Sequence, residues 1–105
     1  MLFYLRSPKK GIDAKGKYDK RTGEFIVLKS SIVSDVVSHS EKFRGSKTVE
    51  KLRKEYVVNR EVKKDVLFKS SSSAANFVTG TSTNGFIAWK DKDGNTFKEC
   101  VATDA

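Results

Sequence analysis

The segment from Ile12 to Lys29 constrains this chain more than any other. Ile12, Ala14, Gly16 and Tyr18 alternate with Asp13, Lys15 and Lys17, a period of two that suits a half-buried strand. Asp19-Lys20-Arg21-Thr22-Gly23 then reads as a turn, with Gly23 free to take positive φ. Residues 24–29 are rich in Phe, Ile, Val and Leu and return as the hairpin partner, expected to be buried on both faces. Residues 2–6 form a further short strand, ended at Ser7-Pro8 because a residue before proline avoids helix.

Beyond the hairpin the period changes. Residues 30–43 are ambiguous: the valines and Ile32 suggest packing, while five serines offer the backbone local hydrogen bonds that compete with a helix. Ser46 is a candidate cap for an amphipathic helix over residues 46–56, in which Val49, Leu52 and Tyr56 follow at spacings of three and four. Its outer face carries Lys47, Glu50, Lys51, Arg53, Lys54 and Glu55, with Glu50 placed to pair with Lys54. Val66-Leu67-Phe68 is a short apolar stretch, followed by Lys69 and four serines. One of Ser70, Ser71 and Ser72 caps a two-turn helix over residues 73–79, stopped by Gly80, with Ala74, Ala75, Phe77 and Val78 facing the core. Asn84-Gly85 is a turn signal. Residues 86–90 and 96–101 read as a closing hairpin around Asp91–Asn95, with Asp93-Gly94 at the reversal. The expectation is one α+β domain spanning residues 1–105, with mostly antiparallel hairpins and two short helices.

Length and composition exclude several classes. At 105 residues the chain supports one core without needing disulfides or metal. Apolar residues make up 37% and charged residues 32%, lean but above a disordered composition. No apolar run approaches the ~18 residues of a membrane span, and residues 1–5 have no basic leader or cleavage site, so neither a membrane protein nor a secreted one is expected. A single cysteine, Cys100, removes any internal disulfide framework and fits the reducing cytoplasm. The net charge of +8 is uneven: residues 1–64 hold 17 Lys and Arg against 8 acids, and residues 65–105 hold 4 against 5. That asymmetry points to a polyanion met by one part of the surface, against the plainer alternative of a charged solubilising surface.

Catalytic chemistry is poorly provided for. Nucleophilic catalysis needs an activated side chain beside a base, and the chain has one histidine, His39, and one cysteine, Cys100, with no local signature around either. Cys100 reads as a small apolar residue of the last strand and His39 as an exposed loop residue. Two such side chains cannot fill a zinc site. Asp91-Lys92-Asp93-Gly94-Asn95 imitates a calcium loop, but the glycine comes two positions early and Ala102 stands where the closing glutamate belongs. No glycine-rich phosphate cradle is present. No cofactor, no metal and no enzymatic activity are expected.

One stretch is distinctive: Phe68, then Ser71, Ser73, Ala74 and Ala75, then Gly80, Asn84-Gly85-Phe86, Trp89-Lys90 and Gly94. This pattern resembles a small domain of uncharacterised function that recurs at the C-terminal ends of GIY-YIG nuclease-family proteins and of some restriction-type DNA methyltransferases. It is also similar to the RAMA domain, associated with restriction systems and proposed to recognise modified DNA. A looser similarity runs through Ala14, Gly16, residues 25–31 and the helix around Leu52. Two positions depart from the pattern: Ser72 where proline is expected, and Phe86 where tryptophan is common. Proline would pre-set the first helical turn, and Phe86 keeps an aromatic face but lacks the indole donor.

The resemblance and the charge together give the leading expectation: a non-catalytic nucleic-acid-binding accessory module, for DNA ahead of RNA, monomeric and associated with restriction or nuclease systems. Lys15, Lys17, Lys20 and Arg21 on the first hairpin and Lys47, Lys51, Arg53 and Lys54 on the helix would contact phosphates, which confers affinity but little sequence information. Asn84, Phe86 and Trp89 would read or stack on bases if exposed. The plainer alternative makes Trp89 the largest core residue and Asn84-Gly85 simple turn chemistry. The second functional class is a protein-interaction or structural module that positions a nuclease or methyltransferase partner.

Overall fold

The N-terminal alternation becomes a sheet. In the computed structural model, which describes residues 1–39 and 43–103, β1 (Leu2–Ser7), β2 (Ile12–Tyr18), β3 (Phe25–Val27) and later β6 (Val66–Phe68) form a four-stranded sheet in the order β1-β2-β3-β6. Every neighbour is antiparallel. Pro8–Lys10 makes a single 3₁₀ turn between β1 and β2, with proline at its start and Gly11 left-handed at its end. Ile26 is only half-buried, so β3 buries one face instead of two.

The buried face carries Phe3, Leu5, Ile12, Ala14, Phe25, Val27, Val66 and Phe68. Helix α2 (Ser71–Thr79) covers it with Ala74, Ala75, Phe77 and Val78, and its alanines let the helix lie close. This helix starts two residues before the expected position 73 and stops at Gly80 as expected. The Ser70 hydroxyl accepts from the Ser73 amide at 3.1 Å, and Gly80 ends the helix at φ 74°. Helix α1 (Ser46–Tyr56) matches its expected range, but Gly45 precedes it and no side chain caps it, so Ser46 is its first helical residue and not its cap. Glu50 turns to His39, at 2.8 Å, instead of making the expected pair with Lys54.

A two-residue-per-strand hairpin, β4 (Val57–Val58) and β5 (Glu61–Val62), follows α1. Ile32 bridges it to Asp13 of β2. Of the ambiguous segment 30–43, residues 40–42 lie outside the described residues, and the described part is extended around that bridge.

The C-terminal third departs most from expectation. The closing hairpin does not form; its two arms are α3 (Gly85–Ala88) and α4 (Phe97–Thr103), giving four α-helices among the described residues where two were expected. Asn84 is an N-cap, accepting from the Phe86 amide at 3.0 Å, and Gly85 is helical. Thr96 and Glu99 close a capping box: the Thr96 hydroxyl accepts from the Glu99 amide at 3.2 Å and the Glu99 carboxylate accepts from the Thr96 amide at 3.2 Å. Cys100 therefore lies on a helix, not a strand. The reversal at Asp91–Asn95 survives, closed by a single Lys90–Thr96 bridge, and Lys90 also pairs with Tyr4 on the β1 edge.

Candidate nucleic-acid interface

A sheet with one face under α2 leaves the other to solvent. The register fixes what that open face presents. Lys17 lies between Leu2 and Ile26, with Leu67 beyond; Lys15 lies opposite Tyr4; Asp13 lies opposite Arg6. Lys15 and Lys17 project side by side from the same strand, two residues or ~6.7 Å apart. Among the described residues neither meets a carboxylate, whereas Arg6 is paired with Asp13 at 3.2 Å and lies 4.6 Å over the Tyr4 ring. The face therefore offers two unneutralised ammonium groups beside an aromatic ring, with an apolar row at one end.

Lys20 and Arg21 sit in the turn that follows β2, exposed and at the end of the strand nearest Lys17. The Asp19 carboxylate accepts from the Arg21 amide at 2.9 Å and shapes this turn. Together, Lys15, Lys17, Lys20 and Arg21 belong to one hairpin and are all exposed.

Lys47, Lys51 and Lys54 are exposed on α1. Helix α1 packs on α2, and α2 covers the inner face of the sheet, so these lysines lie on the helical side and not with Lys15 and Lys17. The expected single basic grip is thus two separate surfaces.

Arg53 corrects the expectation most sharply. It is not on the outer face of α1. Its guanidinium points inward and donates to the carbonyl oxygens of Phe77, Val78 and Ser34 at 2.8–3.1 Å, and to the Ser34 hydroxyl at 2.8 Å. Phe77 and Val78 are among the last residues of α2, whose carbonyls lack helical partners. Arg53 satisfies them, and its charge suits the negative end of the helix. Burial, and secondarily the charge of Arg60, lowers its pKa to about 10, so it stays protonated at neutral pH.

The distinctive C-terminal motif packs on itself. Trp89 is fully buried, its indole N–H donating to the Ser71 carbonyl at 3.0 Å and its ring 4.6 Å from Phe25. No base can reach it, which removes it from any stacking role. Gly16 makes room for it: a Cβ there would lie 2.2 Å from the Phe25 ring and 3.2 Å from Trp89. Gly85 rests against the start of α2, where a Cβ would come within 2.4 Å of the Ser71 and Ser72 backbone. Ser72, the position where proline was expected, accepts from the Gly85 amide at 3.0 Å and so ties α3 to α2. Asn84 is engaged as a cap. Asn84 is nevertheless exposed, and so is Phe86, at 47% with its ring 5.5 Å from Phe97.

Tyr4 and Arg6 were missed in the sequence, although the alternation of Phe3 and Leu5 with Leu2, Tyr4 and Arg6 carries the same period-two signal that exposes Lys15 and Lys17. Among the described residues no cluster of three potential metal ligands occurs, and no helix is long and apolar enough to cross a membrane. The family model of a domain of unknown function, DUF4357, matches residues 3–101. No curated protein and no solved structure matches the chain.

Proposed function

The chain belongs to the DUF4357 family, and from that premise we propose that it is a non-catalytic nucleic-acid-binding module that grips DNA through the open face of its sheet. The observation that carries this is the placement of Lys15 and Lys17, adjacent, exposed, unneutralised among the described residues and flanked by Tyr4 on a face that no other described element covers. Lys20 and Arg21 belong to the same hairpin. Such a surface contacts phosphates and supplies affinity with little sequence preference. The similarity of the C-terminal motif to domains of GIY-YIG nuclease-family proteins and restriction-type methyltransferases, and to RAMA, supports an accessory role beside such an enzyme.

The test is a titration of labelled short duplex and single-stranded DNA at low salt, with the native chain and with Lys15→Ala/Lys17→Ala. Binding that weakens with salt and falls at least tenfold in the double variant supports the proposal. No binding at low salt to either DNA form contradicts it.

A second reading, a protein-interaction module that positions a nuclease or methyltransferase, draws on Phe86 and Ile87, 47% and 56% exposed side by side on α3. It requires that Phe86→Ala/Ile87→Ala abolish a stoichiometric complex with such an enzyme in the presence of nuclease while leaving DNA binding intact.

A further inference from the structure

A second basic site lies away from the open sheet face. The 3₁₀ turn Pro8–Lys10, the segment 34–38 and the turn after α2 enclose a cleft of about 760 Å³, within the range of small-molecule sites. Lys9, Lys10 and Arg60 line it, against one acid, Asp35. Among the described residues none of these three cations meets a carboxylate. A concave wall with an excess of positive charge concentrates its field on whatever anion enters.

The wall is fixed in advance. Asn59 and Arg60 occupy the left-handed region, at φ 50° and 70°, in the tight turn between β4 and β5, where glycine is usual at the second position. Arg60 holds this conformation while its guanidinium donates to the carbonyls of Val33 at 3.1 Å, Lys10 at 2.9 Å and Gly11 at 3.0 Å. Those bonds use its donors without cancelling its charge, and they lock the turn that carries Lys9 and Lys10. The opposite wall is Thr79-Gly80-Thr81. Thr79 spends its hydroxyl on the Thr81 carbonyl and on Thr83, at 3.1 and 2.7 Å, which leaves the Thr81 hydroxyl as the one suited to a sugar. The influence of Arg60 on Arg53 fits a local excess of positive charge.

We propose that this cleft binds a nucleotide by its terminal phosphate, with Lys9 and Lys10 taking the phosphate and Arg60 both adding charge and holding their turn. The shared chemistry is a phosphomonoester on a nucleoside, which is found in a free mononucleotide and at the phosphorylated end of a strand. This site is independent of the open sheet face, so the two proposals fail separately.

The test follows backbone amide NMR shifts of the full chain on titration with a nucleoside 5′-monophosphate, the unphosphorylated nucleoside, and a short single strand with and without a 5′-phosphate. Saturable shifts are expected at Gly11, Asp35, Gly80 and Thr81 with the phosphorylated probes only. Lys9 and Lys10 are exposed, so Lys9→Ala/Lys10→Ala is expected to fold and to weaken binding of the nucleoside 5′-monophosphate at least tenfold, while Lys15→Ala/Lys17→Ala, which alters only the strand-binding sheet face, leaves mononucleotide binding unchanged. In Lys15→Ala/Lys17→Ala, where the sheet face no longer grips a strand, tighter binding of the phosphorylated strand than of the mononucleotide assigns the strand end; equal or weaker binding assigns the free nucleotide. Absence of saturable shifts with every phosphorylated probe, or binding that is unaltered in Lys9→Ala/Lys10→Ala, overturns the proposal.

Discussion

Gly85 and Trp89 show how single residues in the C-terminal motif hold the fold and not a ligand. The Cα of Gly85 lies so near the Ser71–Ser72 backbone that any side chain must push α3 away from α2. Gly85→Ala is expected to cost about 2–3 kcal/mol in denaturant unfolding, as overpacking against main chain that cannot yield does. Trp89→Phe removes the indole donor and leaves the buried Ser71 carbonyl without it, at a cost of about 2–3 kcal/mol in the same measurement. Asp91 acts through its charge. The Asn95 amide above all, then the Asn95 side chain, the Asp93 amide and Cys100, hold its carboxyl below the ordinary value of 3.8. A native carboxyl with a lowered pKa stabilises the fold fully above that ordinary value, and the contribution is lost as pH falls through the lowered one. Asp91→Asn should therefore flatten the acid side of the stability–pH profile below about pH 4; an unchanged acid limb would contradict this role.

At the scale of elements, the best-read helices are those with unambiguous ends or periodicity. Helix α2 was legible because Ser70 and Gly80 bracket it, and α1 because Val49, Leu52 and Tyr56 recur at helical spacing. Helices α3 and α4 were not, because short apolar runs fit strand and helix equally by periodicity. Their cap signals were present but outweighed: Asn84 reads as a turn residue as readily as an N-cap, and the Thr96–Glu99 capping box was masked by the hairpin suggested by Asp93-Gly94. Arg53 was illegible for a different reason. Its place on the polar side of α1 suggests solvent, and only the tertiary approach of the α2 C-terminus supplies the carbonyls that capture it. Arg53→Met leaves the Phe77 and Ser34 carbonyls short of a donor, while Val78 keeps the Ser34 amide at 2.8 Å, and is expected to cost about 2–3 kcal/mol. DNA affinity of the folded variant should change less than twofold, since this guanidinium faces inward. A large affinity loss with unchanged stability would return Arg53 to the interface.

Across the whole molecule, the charge asymmetry of the sequence does not translate into one basic surface. The excess over residues 1–64 divides between the open sheet face, the exposed side of α1 and the cleft at Lys9, Lys10 and Arg60. Chain position could not reveal that division, because it depends on α2 separating α1 from the sheet. The near-neutral end holds the motif that joins α2, α3 and Trp89. The most direct measurement is the dependence of duplex DNA affinity on salt concentration for the native chain, for Lys15→Ala/Lys17→Ala and for Lys47→Ala/Lys51→Ala/Lys54→Ala. Each lost phosphate contact lowers the slope of log affinity against log salt by about 1. The sheet-face variant is predicted to lose about two such contacts and the α1 variant none. Equal slopes for the native chain and the sheet-face variant, with the loss falling on the α1 variant, would contradict the account.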